Sequence, residues 1–198
     1  NNQYEPIWND LKGKLNSNTK GIIINSPSNP TGGVWSDEAI IKVIKLAKTI
    51  DAWVFSDECY EQLTYDIPFK SIATFAPHLN NIITFQSCSK TYAMTGWRIG
   101  YAAGHPELIE AMIKLQGQST TNASTIGQEA AIAALDADQK FLNDWLKLYT
   151  NRRDIVSNSL KKSFKDSFNN PEGAFYHFIS CQALVGKKFN GIHSVNND

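Results

Sequence analysis

The chain has 198 residues, and its 19 lysines and arginines balance 19 aspartates and glutamates, so the formal net charge is zero. This balance argues against nucleic acid and an anionic membrane as partners, and the longest apolar runs are too short to span a bilayer. The three scattered cysteines and four histidines show no disulfide framework or metal-ligand spacing, so we expect no metal and a reducing, cytoplasmic location.

A strand, a loop and a helix open the predicted fold. Residues 21–25 form a β-branched run that predicts a buried strand, and residues 26–33, rich in proline and glycine, predict a loop. Ser36 predicts a helix N-cap, because Asp37 and Glu38 follow in the first turn, where the helix dipole favours negative charge. The spacing of the apolar residues predicts the buried face of this helix, made of Ile40, Ile41, Val43, Ile44 and Ala47.

Three further strands are predicted, at residues 52–56, 82–87 and 99–103. Alternating strands and helices are the signature of an α/β fold with a mostly parallel sheet. Asp57 follows the second strand of the chain and Lys90 follows the third. Because open α/β sheets bind ligands beyond the carboxyl ends of their strands, Asp57 and Lys90 are expected at a ligand site.

The C-terminal half is predicted to be mainly helical. Pro106 suits the first turn of a helix over 107–118, and an alanine-rich helix follows over 124–135. A third helix of about 25 residues is expected from a cap at Asp138 or a neighbour. Its apolar stripe comprises Phe141, Trp145, Leu148, Arg152, Ile155 and Leu160.

The end of the chain suggests a second domain. A turn at 171–173 and a strand at 174–179 are expected to open it. The predicted division is therefore a large ligand-binding domain over 1–138, a long connecting helix over 139–170 and the beginning of a small α+β domain over 171–198.

Lys90 is the first candidate for chemistry. A lone lysine is usually a solvated surface charge, but this one follows an apolar strand and has small hydroxyl residues around it. A partly buried lysine has a lowered pKa, so its amine can form a Schiff base with a carbonyl cofactor. Arg98 could pair with a carboxylate or bind a phosphate with both arms of its guanidinium. The hydroxyls of Ser87 and Ser89 are either ordinary loop groups or phosphate donors.

Three earlier residues also admit a structural and a functional interpretation. Asp57 could cap the next turn, or its carboxylate could pair with the pyridine nitrogen of pyridoxal phosphate (PLP), since a buried carboxylate needs a cation. Tyr60 could be a core residue or a donor to the phenolic oxygen of that cofactor. Asn29 could mark a turn, or donate to the same oxygen or to a substrate carboxylate.

The order of four motifs carries more weight than any one residue. The motifs are Asn-Pro-Thr-Gly from Asn29, Asp-x-x-Tyr from Asp57, Ser-x-Ser-Lys ending at Lys90 and Gly-Trp-Arg ending at Arg98. Together they resemble the class I aminotransferases of PLP fold type I, most closely the bacterial aspartate aminotransferase subgroup. The resemblance continues to 173–176, and the lysine-to-arginine stretch is its most specific part. It implies the three-layer large domain of that fold, followed by a smaller α+β domain.

The resemblance also implies a role for each candidate. Lys90 would hold PLP as a Schiff base and shuttle a proton, and Asp57 would pair with the pyridinium nitrogen. Tyr60 and Asn29 would donate hydrogen bonds to the phenolic oxygen, and Asn29 would also contact the substrate carboxylate. The peptide bond between Asn29 and Pro30 is often cis in the family. Half of the phosphate cup would come from Ser87, Ser89 and Arg98.

The function implied is transfer of an amino group from an amino acid, with aspartate as expected donor, to a 2-oxo acid, with 2-oxoglutarate as expected acceptor. A homodimer is expected, because the family builds its sites at a dimer interface. A β-lyase or synthase of the same fold type, or a non-catalytic PLP-binding regulatory module, stays open as an alternative. A nucleotide-binding protein lacks support, since neither G-x-G-x-x-G nor a P-loop occurs.

The chain is expected to be part of a longer protein, because it has no initiator methionine. The resemblance places further phosphate donors and a ring-stacking aromatic before Asn1. It places the arginine that binds the substrate α-carboxylate after Asp198. Residues 1–198 alone are therefore expected to bind PLP weakly or not at all.

Overall fold

A computed structural model describes residues 4–78, 80–165 and 167–188, together with the backbone of 189 and of 193–194. Within that described part, no helix is long and apolar enough to cross a membrane.

A four-stranded sheet carries the candidate site. Its strands, in spatial order, are β1 (Gly21–Asn25), β2 (Trp53–Asp57), β3 (Ile82–Ser87) and β4 (Gly100–Gly104). The first three are parallel and β4 is antiparallel to β3. The predicted bounds of β1 and β3 are confirmed, whereas Asp57 ends β2 instead of following it, paired in register with Asn25.

Helices precede, separate and follow these strands along the chain. They are α1 (Trp8–Lys14), α2 (Asp37–Thr49), α3 (Cys88–Thr91), α4 (Pro106–Gly117), α5 (Thr125–Asp136) and α6 (Phe141–Phe164). Short 3₁₀ turns occur at Ile72–Phe75, Thr95–Trp97 and Gln182–Leu184. The backbone of β5 (Lys188–Phe189) pairs antiparallel with β6 (His193–Ser194). The predicted helices at α2, α4, α5 and α6 are confirmed.

Helix α2 covers one face of the sheet. Ser36 caps it as predicted, because its Oγ accepts a hydrogen bond of 3.2 Å from the Ala39 N–H. Its apolar stripe packs against Ile24, Val54 and Ile82 in the main core cluster. Ile41 is 38% exposed, so its predicted place on the buried face is wrong. At 100° per residue, it falls beyond the edge of the stripe that faces the sheet.

The opposite face of the sheet is open at β1 and β2 in the described part of the chain. Ile23, in the middle of β1, is 79% exposed. Phe55 of β2 and Phe85 of β3 stack on this face with ring centroids 6.3 Å apart. The paired register puts Asp57 beside Phe85, so the carboxylate shares this apolar surface.

One prediction for the C-terminal part is wrong. Residues 174–179 form no regular strand; Gly173 makes an isolated bridge to Thr64, and the chain then turns at Ala174, whose φ is 56°. On α6, Leu148 is 46% and Ile155 61% exposed. The predicted division into domains stays a prediction.

Candidate active site

The carboxyl ends of β2 and β3 border a cavity of about 420 Å³. It is lined by the polar residues Asp57, Cys59, Gln86 and Ser87 and by the apolar residues Ile23, Phe55 and Phe85. The structure thus brings Asp57 and Ser87 to the same edge of the sheet, where an open α/β fold is expected to bind a ligand.

The Asp57 carboxylate makes no ion pair with a described residue. Its Oδ1 accepts a hydrogen bond of 3.2 Å from the Cys59 N–H, which fixes the turn after β2. Because a half-buried carboxylate is stabilised by a nearby positive charge, this group is suited to bind a cation in the cavity.

Lys90 lies on the short helix α3, directly after β3. Ser87 caps this helix, with its Oγ accepting a hydrogen bond of 3.1 Å from the Ser89 N–H and donating one of 3.3 Å to the Ile99 carbonyl. The half-buried Lys90 Nζ lies 5.8 Å from the ring centroid of Tyr60 and 5.6 Å from that of Phe175. Both distances are in the range of cation–π attraction, which orients the amine.

The Cys59 thiol interacts electrostatically with both the Asp57 carboxylate and the Lys90 amine. Burial raises the pKa of its thiol, and the negative charge of Asp57 raises it further. The Lys90 amine and the Ser87 hydroxyl act in the opposite sense on the same thiol. Cys59 therefore lies within electrostatic reach of both charged candidates, and a raised thiol pKa keeps it neutral in neutral solution.

Tyr60 is engaged with a residue far along the chain. It is 4% exposed, and its hydroxyl oxygen lies 2.6 Å from that of Tyr176. Burial, followed by this hydrogen bond, raises the pKa of Tyr60 well above its ordinary value. Tyr176 and Phe175 are site neighbours that the residue-by-residue reasoning missed; the motif from Gly173 to Tyr176 was the available signal.

Five sequence-predicted residues are not among those that line the cavity: Asn29, Tyr60, Ser89, Lys90 and Arg98. Asn29 is exposed, and its backbone N–H donates to Asn25 Oδ1 at 2.8 Å. Its bond to Pro30 is cis, as the resemblance implies. The buried Ser89 contributes its backbone N–H to the cap of α3. The exposed Arg98 donates from Nη1 to the Thr95 carbonyl at 2.8 Å.

The loop after β1 is fixed against the C-terminal segment. The Gly32 carbonyl accepts hydrogen bonds of 2.9 Å from the N–H groups of Glu172 and Gly173. Gly32 has φ +70°, and a Cβ there would lie 2.7 Å from the Cβ of Pro171. Only glycine satisfies both conditions without strain, and this contact keeps Tyr176 close to Tyr60.

Among the side chains that the structure describes, no group of three or more histidines, cysteines, aspartates and glutamates could hold a metal ion.

Known proteins resemble this chain in sequence and in fold. The family model "Aminotransferase class I and II" matches residues 1–190. A probable aspartate/prephenate aminotransferase of Rhizobium leguminosarum is 44% identical over 181 residues, which are 90% of this chain and 45% of that protein. The chain thus spans about half the length of the curated relatives it matches.

Two solved structures show the same agreement. The aspartate aminotransferase from Rhizobium meliloti superposes with a TM-score of 0.86 at 37% identity, covering 94% of this chain and 48% of that one. The aromatic aminotransferase from Pyrococcus horikoshii gives 0.84 at 35% identity, covering 89% and 48%. The predicted fold class is confirmed as that of the aspartate aminotransferases. The chain belongs to the aminotransferase class I and II family.

Proposed function

We propose that this chain supplies the cofactor-binding part of a PLP-dependent aminotransferase that moves the amino group of aspartate to 2-oxoglutarate. One observation carries the proposal most directly. The Asp57 carboxylate, without a cation among the described residues, shares a cavity with Ser87 and lies within electrostatic reach of the same thiol as the Lys90 amine.

The residues present fit this cofactor. Asp57 would face the ring nitrogen, and the Lys90 amine would hold the aldehyde carbon. The Ser87 hydroxyl would donate to the phosphate in place of the Ile99 carbonyl, to which it donates in this structure. The rings of Phe55 and Phe85 provide an apolar surface for a flat aromatic ring. From the family resemblance we add Ser89 and Arg98 to the phosphate contacts, and Tyr60 and Asn29 to the phenolic-oxygen contacts.

The bound cofactor supplies an electron-withdrawing ring, and the protein supplies proton transfer and charge. With PLP held there, the Lys90 amine would act as the base that takes a proton from the substrate α-carbon and as the acid that returns it. General acid–base action of this kind accelerates a reaction by about 10²–10⁴-fold. The rings of Tyr60 and Phe175 limit the space around Nζ and orient it. The negative charge of Asp57 would stabilise a positive charge on the ring nitrogen.

We also propose that the protein acts as a homodimer in the cytoplasm. The cytoplasmic location is supported by the three free thiols of Cys59, Cys88 and Cys181. The homodimer is supported by the family resemblance. The described cavity is open on the face that carries Ile23, so further walls are needed around a bound cofactor.

The proposal is tested on the natural protein that carries this chain, at its natural length. Adding aspartate to the PLP-loaded protein should replace the absorbance of the aldehyde form by that of the amine form, with one oxaloacetate released per site. Adding 2-oxoglutarate should reverse the change. Lys90→Ala serves as the inactive control, and Lys114→Ala, on α4, as the neutral one.

The alternatives give different products. Ammonia with pyruvate would identify a β-lyase, and tight PLP binding without any keto acid from any amino acid would identify a regulatory module. Prephenate, which the relatives' names include, is the second oxo acid to test as acceptor. An aromatic donor is the second amino acid to test, since one structural neighbour is an aromatic aminotransferase.

A further inference from the structure

Glu58 is a buried carboxylate next to Asp57 that lies outside the cavity lining. It is 1% exposed, and none of the ion pairs between described residues includes it. Its Oε1 accepts hydrogen bonds from Ser56 Oγ at 3.0 Å, Ser71 Oγ at 3.1 Å and the Ile72 N–H at 3.0 Å. Its Oε2 accepts one of 3.0 Å from Gln86 Nε2.

The Glu58 carboxylate accepts hydrogen bonds from four donors, which is about as many as its acceptor sites allow. Taking a carboxylate out of water costs several kcal/mol, and hydrogen bonds to it must offset that cost. A well-packed apolar residue could fill the same volume without needing any donors. The charged group is therefore better explained by what its hydrogen bonds connect.

The donors lie beside the proposed cofactor contacts. Ser56 immediately precedes Asp57 on β2, and Gln86 immediately precedes Ser87 on β3. The Glu58 N–H also donates to the Phe85 carbonyl at 2.9 Å, so backbone and side chain together join the ends of the two strands. Moving either strand end would break at least one hydrogen bond to the buried charge.

We propose that Glu58 is a positioning residue, whose carboxylate joins the ends of β2 and β3 and thereby holds the Asp57 carboxylate and the Ser87 hydroxyl in their places at the cavity. This inference rests on the proposed function insofar as the cavity binds PLP.

The test compares Glu58→Gln with Glu61→Gln in the natural protein at its natural length. Glu61 lies in the same segment after β2, is also partly buried, and makes none of these four hydrogen bonds. In Glu58→Gln an amide nitrogen replaces one acceptor oxygen, so a donor faces a donor. We expect its PLP dissociation constant to rise about tenfold or more, against less than about twofold for Glu61→Gln.

Two readouts separate positioning from mere stabilisation. The pH midpoint of the absorbance of bound PLP should shift in Glu58→Gln, because the cofactor meets a displaced Asp57. In a double-mutant cycle with Asp57→Asn, the two effects on PLP affinity should be less than additive. Ser56→Ala, which removes one donor, should weaken PLP binding by about two- to fivefold and covers the case in which Glu58→Gln fails to fold.

The outcomes decide two questions separately. If Glu58→Gln melts at a lower temperature but matches Glu61→Gln in PLP affinity and in the pH midpoint, Glu58 is only structural and the inference is overturned. If the wild type binds no PLP, the proposed function fails, and hydrogen exchange in the cofactor-free protein decides the inference. Faster exchange of the amides of 57–60 and 86–89 in Glu58→Gln alone would support it, and unchanged exchange would overturn it.

Discussion

The hydroxyl oxygens of Tyr60 and Tyr176 lie 2.6 Å apart, although the two residues are separated by 116 positions in the chain. This contact joins the segment after β2 to the segment after α6. It also occupies the hydroxyl that the family resemblance assigns to the cofactor's phenolic oxygen. The pKa of the Tyr60 hydroxyl thus depends on Tyr176, which lies outside the sheet.

Replacing Tyr176 by phenylalanine should lower the pKa of Tyr60 without returning it to its ordinary value. The hydrogen bond is the second cause of the raised pKa, and burial, the first, remains. Alkaline titration of tyrosinate absorbance, with Tyr60→Phe to assign the signal, measures the change. Tyr4→Phe, at a 39% exposed position, is the matched control. Identical titrations of wild type and Tyr176→Phe would contradict the assignment.

The protein should lose stability in alkali partly through Tyr65. Burial raises the pKa of Tyr65 to about 12, against about 10 in an unfolded chain. Below pH of about 10 both states keep the proton, whereas between about 10 and 12 only the folded state keeps it, so the free energy of unfolding falls. Urea unfolding at pH 9 and at pH 11 should show a smaller fall in Tyr65→Phe. An equal fall in both proteins would refute this role.

The glycines that join the β1 loop to the C-terminal segment should not tolerate alanine. Gly32→Ala combines a positive φ with a Cβ 2.7 Å from Pro171 Cβ, and Gly173→Ala places a Cβ 2.7 Å from Pro27 Cβ. Each should destabilise the fold by about 1–3 kcal/mol. Gly117→Ala, where no atom lies within 4 Å, should be neutral or slightly stabilising. Thermal unfolding checks all three, and equal melting temperatures would contradict the close packing.

The three thiols should differ in reactivity. Cys181 is exposed, Cys88 is 0% exposed, and burial with the charge of Asp57 raises the pKa of Cys59. Since the thiolate is the nucleophile, iodoacetamide near pH 7.5 should modify Cys181 first, Cys59 more slowly and Cys88 last. Peptide mass spectrometry over time gives the three rates. PLP should slow the reaction at Cys59 and leave that at Cys181 unchanged; equal protection of both would argue against a cofactor beside Cys59.

Local patterns predicted the sheet well. The β-branched run at 21–25 and the apolar run at 82–87 gave β1 and β3 with correct bounds, and the cap at Ser36 gave the start of α2. The four ordered motifs gave the family. These features are encoded by neighbouring residues, which is why sequence alone reveals them.

Features that depend on distant contacts escaped prediction. Glu58 is charged and follows a strand, and nothing local indicates that donors from three separate segments would bury it. The pairing of Tyr60 with Tyr176 likewise arises only when the loop at Gly32 meets residues 171–173. The spacing on α6 predicts a face of the helix, and it does not predict a partner that covers this face.

The most direct test of the account is to locate the cofactor on the protein. Borohydride treatment of the PLP-loaded natural protein, followed by peptide mass spectrometry, fixes PLP covalently on the amine that holds it. We expect one modified lysine per chain, Lys90, and no modification at this position in Lys90→Arg. Modification of a different lysine, or equal labelling of several exposed lysines, would contradict it.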